Sequence, residues 1–514
     1  MPTVVLVDAR VDPDKIIEIV AHRTTEERGE EYLVRWVTES ANPTDVPFSY
    51  HDADELASCL PLLQVYLESL DKDKPSRASR KRKHDERQPF RPSPAERLTA
   101  PSRSSPASPS PSLSSTDLSN LQISSDQIPS VYNGTLRCRD EFITMVTSSR
   151  PDVARIDVRH VPTPAMTAVA QMSTTLQAQK RIRDEVVRRL DTLPGPRVTL
   201  VNTVDSTSPP LDFQFIAKNI LGEGVYAADP ATRTGCSKCK AHMGQGIGCE
   251  YSKICDCLEY AAVHESERML PEERERWEII KEVGGGDTAG LPKKFPYYSS
   301  GARQGCLVPF YLERRFPIYE CNENCQCGPG CKTRIVQFGR QVRLEIFRTS
   351  NGRGWGLRCK QKLMKGQFID TYRGEIITDA EATRREKKSI GSKDSYLYSL
   401  DKFAETLGIQ QEDLYVIDGQ YKGGPTRFIN HSCEPNCRQY VVSYNRHDPK
   451  VYEIAFFATR DISAGEELTF DYLDKDEEDE DEEEAPDPEE RKDGGIKPTK
   501  CRCGAKKCRK WLWI

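Results

Sequence analysis

The chain has 514 residues, 37% hydrophobic and 30% charged, with 74 Lys and Arg against 79 Asp and Glu. That length suits roughly two to four domains. No stretch approaches the ~18 uninterrupted apolar residues of a membrane span, and residues 1–10 lack the pattern of a secretory signal, so a soluble intracellular protein is expected. The net charge of -5 is unevenly placed: residues 474–490 hold 13 acids and one Lys, leaving the remainder at +7. A mildly basic body tolerates polyanionic surroundings such as chromatin but does not establish direct DNA binding. Eighteen cysteines in such a chain point to metal or catalysis, not to disulfides.

Residues 8–70 read as a small β3α module. Ile16, Ile17, Ile19 and Val20 open it, Tyr32-Leu33-Val34-Arg35-Trp36-Val37 follows, and an apolar run at helical spacing closes it over 56–70. It resembles a chromodomain in part, with Ile17 to Val20 as first strand and Tyr32 to Trp36 as second. Readers of that family hold methyl-lysine in a cage of three aromatics, because ring faces attract the cation. Trp36 stands at one cage position, the other two fall near Lys15 and Glu39, and Phe48 or Tyr50 are the substitutes available.

Residues 71–130 read as a disordered linker, since 71–120 contain 12 Ser and 8 Pro, and Arg80-Lys81-Arg82-Lys83 within it reads as a nuclear import signal. Residues 131–231 are expected to extend the catalytic region. Met166, Val169, Met172, Leu176, Ile182, Val186, Leu190 and Leu193 predict one amphipathic helix over 165–193, ended by Pro194-Gly195. Short strands are expected at Val198 to Val201 and at Phe213 to Ile216.

Between 232 and 334 the cysteines fall in two knots: Cys236, Cys239, Cys249, Cys255 and Cys257, then Cys321, Cys325, Cys327 and Cys331. Nine thiolates serve three tetrahedral zinc ions when three sulfurs each bridge two metals. The segment 265–294 between the knots, with Gly284-Gly285-Gly286, is expected as a surface excursion. Near the C-terminus Cys501, Cys503 and Cys508 lack a fourth ligand, for which Cys433 and Cys437 are the candidates; Cys433 is preferred. Cys59, Cys138, Cys306, Cys359 and Cys437 are then left without a metal role.

Between these arrays lie Gly352-Arg353-Gly354-Trp355-Gly356, Tyr372-Arg373-Gly374-Glu375, Tyr396-Leu397-Tyr398, Arg427-Phe428-Ile429-Asn430-His431-Ser432-Cys433 and Glu467-Leu468-Thr469-Phe470-Asp471-Tyr472. In this order, between a nine-cysteine cluster and a Cys-x-Cys-x4-Cys tail, they resemble the SET-domain lysine methyltransferases of the suppressor-of-variegation 3-9 class, over about residues 200–514. The resemblance implies an α+β, mostly β fold. Its SET core (335–473) consists of small sheets with a threaded C-terminal segment, between a zinc-cluster pre-SET (232–334) and, beyond an acidic loop (474–499), a post-SET (500–514). It also implies transfer of methyl groups from S-adenosylmethionine to histone H3 lysine 9, with the histone H3 tail and nucleosomes as partners, in nuclear heterochromatin.

Gly354 and Gly356 allow close backbone approach and Trp355 offers a flat apolar surface, while no phosphate-loop signature follows. In the family this loop binds the cofactor with Asn430 and His431, near Tyr396 and Arg427, under a tail aromatic that is Trp513 or, less favoured, Trp511. Four structural zinc ions are implied, the last held by Cys433, Cys501, Cys503 and Cys508.

The nucleophile must be a neutral amine aligned in line with the S–CH3 bond. Deprotonating a lysine at pH 7 costs about 4.6 kcal/mol, part of which an apolar channel offsets. By family match Tyr472 orients the amine, Tyr396 forms a second wall, and Phe470 leaves room for trimethylation where a tyrosine stalls it. Tyr398 stands where phenylalanine is usual, and Lys492, Lys497 and Lys500 beside the acidic run are candidates for self-methylation. The rival functions are a chromatin adaptor of weak activity and a methyltransferase for a non-histone lysine.

Overall fold

The computed structural model describes residues 3–6, 10–27, 29–37, 45–73, 159, 161–240, 249, 255–264, 269–284, 286–388, 396–473 and 499–512. The basic run 80–83, the linker beyond 73, Glu39, Cys138, the acidic residues 474–490, Lys492, Lys497 and Trp513 lie outside them. The chain forms two compact units, dividing after Arg181.

In the first unit β2 (Ile16–Thr25), β3 (Gly29–Trp36) and β4 (Asp45–Asp52) form an antiparallel meander. A fourth strand, β1 (Thr3–Leu6), lies parallel to β4 and before the residues expected for the module. Four residues without alternation carry little strand signal of their own; the ladder to β4 supplies it. Helix α1 (Leu60–Asp73) buries Leu60, Leu63 and Tyr66, three positions apart and hence on one face.

The candidate cage aromatics are committed elsewhere. Trp36 is buried, its indole N–H donating to Ser49 Oγ at 2.7 Å. Phe48 is buried among Ala21, Leu33, Val46 and Met166, and the Arg23 guanidinium covers Tyr50 at 4.1 Å from the ring centroid. The rings pack into the sheet and frame no open methyl-lysine cage among the described residues.

The single helix expected over 165–193 is two, α2 (Pro164–Met172) and α3 (Leu176–Leu190). The buried carboxylate of Glu30 on β3 accepts the first N–H groups of α3, from Gln177 at 2.9 Å and Ala178 at 3.0 Å, and also the Tyr32 hydroxyl at 2.9 Å. That tertiary cap starts a fresh helix. Met172 and Leu176, expected in the apolar stripe, flank the break and are 67% and 70% exposed. Helix α2, placed in sequence with the catalytic region, packs on the N-terminal sheet through Met166.

The second unit is built of small sheets. β5 (Thr199–Val201) lies parallel to β9 (Leu344–Arg348), which pairs with β10 (Trp355–Cys359). A second sheet has the order β13 (Leu397–Ser399), β14 (Tyr415–Asp418), β12 (Glu375–Thr378), β7 (Ile220–Leu221). A third has the order β11 (Phe368–Tyr372), β18 (Glu453–Ala458), β17 (Cys437–Ser443), β8 (Ile318–Tyr319). Two-residue pairings join β6 (Gln214–Phe215) to β15 (Lys422–Gly423), β16 (Asn430–His431) to β19 (Thr469–Phe470), and β20 (Thr499–Lys500) to β21 (Trp511–Leu512).

Central strand β18 positions the site. Its alternation sends Phe457 into the core with Tyr297, Phe368 and Tyr440, and Phe456 against Phe470 at 4.9 Å. The surface excursion between the cysteine knots contains α4 (Pro271–Val283), a helix without a buried residue, capped by Gly284 at φ 73°. Short helices α5 (Pro309–Arg314) and α6 (Asp379–Lys388) complete the unit's longer elements. The turn after α3 is held by Arg340, which donates to the carbonyls of Pro194 and Pro196 and pairs with Asp370 of β11.

Candidate active site and thiol clusters

The two cysteine knots converge into one buried cluster. Three tetrads have all four Sγ atoms within 4.8 Å of one another: Cys236, Cys255, Cys257, Cys321; Cys236, Cys249, Cys321, Cys327; and Cys236, Cys239, Cys249, Cys255. The recurrence of Cys236, Cys249, Cys255 and Cys321 is the sulfur sharing that a multi-zinc cluster needs. Cys325 and Cys331 stand outside these tetrads but adjoin them: Cys325 Sγ is 3.3 Å from Cys257 Sγ, and Thr333 Oγ1 lies 2.9 Å from Cys331 Sγ and 3.1 Å from Cys321 Sγ. Gly235 explains how tightly the knots close. A Cβ there would meet the Asn324 carbonyl carbon and oxygen at 2.2 Å.

A fourth tetrad joins Cys433 to Cys501, Cys503 and Cys508. Cys437 is buried apart from it, its thiol donating to Asn436 Oδ1 at 3.3 Å. Backbone N–H groups of Arg509, Lys510 and Ala505 point at the sulfurs of Cys433, Cys508 and Cys503 at 3.4 to 3.5 Å. Such donors favour thiolates, so this donor set fits a zinc ion.

Between the clusters β19 lies parallel to β16, with Asn430 opposite Thr469 and His431 opposite Phe470. The Ser432 and Asn436 N–H groups donate to Phe470 and Thr469 carbonyls, and the Asn436 side chain returns bonds to Thr469 and Glu467. Residues 467–472 thus run between β10, where the Leu468 N–H donates to Leu357 O at 2.8 Å, and the Asn430 segment, the threading expected of the fold.

Asn430 Nδ2 donates to Trp355 O at 3.2 Å and Glu467 Oε1 at 2.9 Å. Glu467 also pairs with Arg353. His431 is buried, which pushes its pKa down to about 4 against the pull of Asp471. Its Nδ1 accepts the Tyr472 N–H at 3.2 Å, which leaves the neutral ring's proton on Nε2, 3.2 Å from Cys433 Sγ. Asp471 in turn binds Arg509 at 2.9 Å.

Phe470 is 4.8 Å from the ring of Tyr472, and the Tyr472 hydroxyl donates to Ile429 O at 3.0 Å. The Tyr372 hydroxyl donates to Tyr396 O at 2.7 Å. Arg427 lies 4.1 Å over the Tyr396 ring and donates to the Gly419 and Gln420 carbonyls at 3.0 and 3.2 Å.

Trp355, Asn430, His431, Phe470 and Tyr472 are therefore linked in one network. Arg427 is tied to Tyr396, and Trp511 lies in β21 opposite Lys500. Glu467, Asp471, Arg353 and Arg509 were not singled out by sequence. Three of them sit inside motifs already noted, and the pairing of acid with base across them was the available signal.

An adenosylated amino acid fits beside this loop. Gly354 at φ 77° has nothing nearer its Cβ position than Arg348 at 4.0 Å, and Arg353 Nη1 is buried without a partner, a donor suited to a carboxylate. Gly356 serves internal packing instead, since a Cβ there would meet Glu467 Oε1 at 2.9 Å.

Residues 354–473 match the SET domain family and residues 191–334 the Pre-SET motif family. The chain is 40% identical over 328 residues to an H3 lysine-9 specific histone-lysine N-methyltransferase, KMT1, of Fusarium mangiferae, over 62% of this chain and 88% of that protein. It is 39% identical over 321 residues to the H3 lysine-9 specific enzyme dim-5 of Neurospora crassa, again over 62% and 88%. With the corresponding Schizosaccharomyces pombe enzyme the identity is 34% over 332 residues, 63% of this chain and 57% of that protein.

Proposed function

Because the chain belongs to the SET-domain histone-lysine N-methyltransferases specific for H3 lysine 9, we propose that it methylates that lysine up to the trimethyl state, on chromatin in the nucleus. The single observation that carries the product state is a phenylalanine, Phe470, whose ring lies 4.8 Å from that of Tyr472 and tilted 45° to it.

S-adenosylmethionine supplies an electrophilic methyl group. Gly354, Trp355, Asn430 and Arg353 would hold the cofactor, with the tail aromatic Trp513 or Trp511 as cover. The Tyr472 hydroxyl spends its proton on Ile429 O, so it meets the substrate amine as an acceptor and orients the nitrogen lone pair. Tyr396 walls the channel, and Arg427 and Tyr372 fix Tyr396 from behind; Arg427 acts as a positioning residue. His431 ties the threaded segment at Tyr472 to β16 through the backbone and keeps its other nitrogen toward the thiol tetrad. Zinc has a structural role: three ions in the first cluster and one at Cys433 tie both flanks to the catalytic body. Every group that would hold the ions is a cysteine sulfur, a donor set suited to closed structural sites. Turnover rises with pH above neutrality as the substrate amine deprotonates.

Mass spectrometry of an H3 tail peptide, and of the same peptide with alanine at lysine 9, tests this reading. Gains of up to three methyls on the first peptide alone are expected. Equal gains on both would move the target to another lysine, and none on either would leave an adaptor.

A further inference from the structure

The C-terminal thiol knuckle concentrates charge that the whole-chain balance hides. Residues 499–512 contain Lys500, Arg502, Lys506, Lys507, Arg509 and Lys510 and no acid. Lys500, Arg502, Lys506, Lys507 and Lys510 are exposed. Among the described residues only Arg509 of the six is ion-paired, with Asp471.

The frame that carries the five is fixed. Cys433 and the three tail sulfurs lie within 4.8 Å of one another, Thr499–Lys500 pairs with Trp511–Leu512, and the Lys506 N–H donates to Glu434 Oε2 at 2.8 Å. Arg502 reaches the Gly352 carbonyl at 3.4 Å, which sets the knuckle against the active-site loop.

We propose that this knuckle is a docking surface for the phosphate backbone of duplex DNA. Protein interfaces centre on desolvated aromatic or aliphatic anchors, and here the exposed residues are cations while Trp511 and Leu512 are half-buried in the β21 pairing. A phosphate backbone asks only for several cations on a rigid frame, because binding is driven by release of condensed counterions. The choice of duplex over RNA rests on the reading that the substrate is a histone on chromatin. Contact at the knuckle places DNA beside the methyl-transfer site.

The test is fluorescence anisotropy of a labelled duplex of arbitrary sequence with the full zinc-loaded chain, over a salt series, for the native protein and a Lys506→Gln, Lys507→Gln variant. The variant is expected to bind several-fold more weakly, with a log–log salt slope shallower by about 1.8, twice the ~0.9 of one phosphate contact. Zinc content and turnover of a free H3 peptide remain native, which shows that the variant is folded. Native affinity and slope in the variant would overturn the proposal, as would tighter binding of a single-stranded RNA of equal length. The binding measurement uses neither cofactor nor histone, so it stands apart from any failure of the methyltransferase reading.

Discussion

At the scale of single residues, the proposed product state rests on a hydroxyl that Phe470 lacks. Its ring is clasped between Phe456 at 4.9 Å and Tyr472 at 4.8 Å, so a tyrosine placed there projects its hydroxyl along the same ring. A hydrogen bond from that hydroxyl to the amine or a water opposes the last rotation by about 1 kcal/mol or somewhat more, roughly a tenfold slowing of the final transfer. Phe470→Tyr is therefore expected to accumulate mono- and dimethyl-lysine, read by mass spectrometry of the peptide. Unchanged trimethyl output would remove Phe470 from its role. The family resemblance located this residue through the local Glu467–Tyr472 motif; it did not locate Glu467 as the partner of Asn430, which lies 37 positions away and is met only through β16 and β19.

At the scale of elements, the junction of β3 with α3 governs the first unit. Glu30→Ala leaves the N–H groups of Gln177 and Ala178 and the Tyr32 hydroxyl without their acceptor, at a cost of about 2 kcal/mol. Hydrogen exchange at Gln177 and Ala178 should then accelerate while the amides of β18 keep their protection. The same region has a pH dependence of defined sign. His22 is buried, with Nδ1 2.8 Å from the Tyr66 hydroxyl and with Tyr32 and Glu30 facing it; burial holds its pKa below the usual 6.5. The unfolded chain then takes up a proton before the folded one does. Stability is full above about pH 6.5 and falls as pH drops through that value, which a denaturation series from pH 8 to 5 monitored in this unit would show. Stability that rises on acidification would contradict it.

The Cys236 knot gives a second element-scale expectation. Gly235→Ala forces a Cβ into the Asn324 backbone at 2.2 Å and must part the two knots. Zinc content of the purified variant should fall below that of the native chain even when the catalytic sheets remain folded.

For the whole molecule, the thiol clusters tie together segments that are distant in sequence. Cys433 meets Cys501 across 68 positions, and Cys255 meets Cys321 across 66. Removing zinc with a strong chelator leaves buried thiolates repelling one another, so the flanking segments open. Proteolytic cleavage within 232–334 and 499–512 is expected to rise sharply and methyl transfer to vanish, both restored by added zinc. A chain that kept its protease resistance without zinc would show that packing alone holds the clusters.

Local motifs, read with the family resemblance, marked much of this protein: the cysteine spacings within each knot, the glycine loop, the Asn-His pair and the Phe-x-Tyr pair are legible because the members of each stand within a few residues of one another. So are the strands at Thr199–Val201 and Gln214–Phe215. Tertiary structure decided what depends on partners far along the chain. A carboxylate 147 positions upstream of Gln177 splits one periodic stripe into two helices. Trp36 and Phe48 become core instead of cage because Ser49 and Met166 claim them. Cys433 rather than Cys437 completes the last tetrad because β17 carries Cys437 into the sheet. In each case a hydrogen bond or buried contact chooses among several equally good local candidates, and that choice is made by the fold.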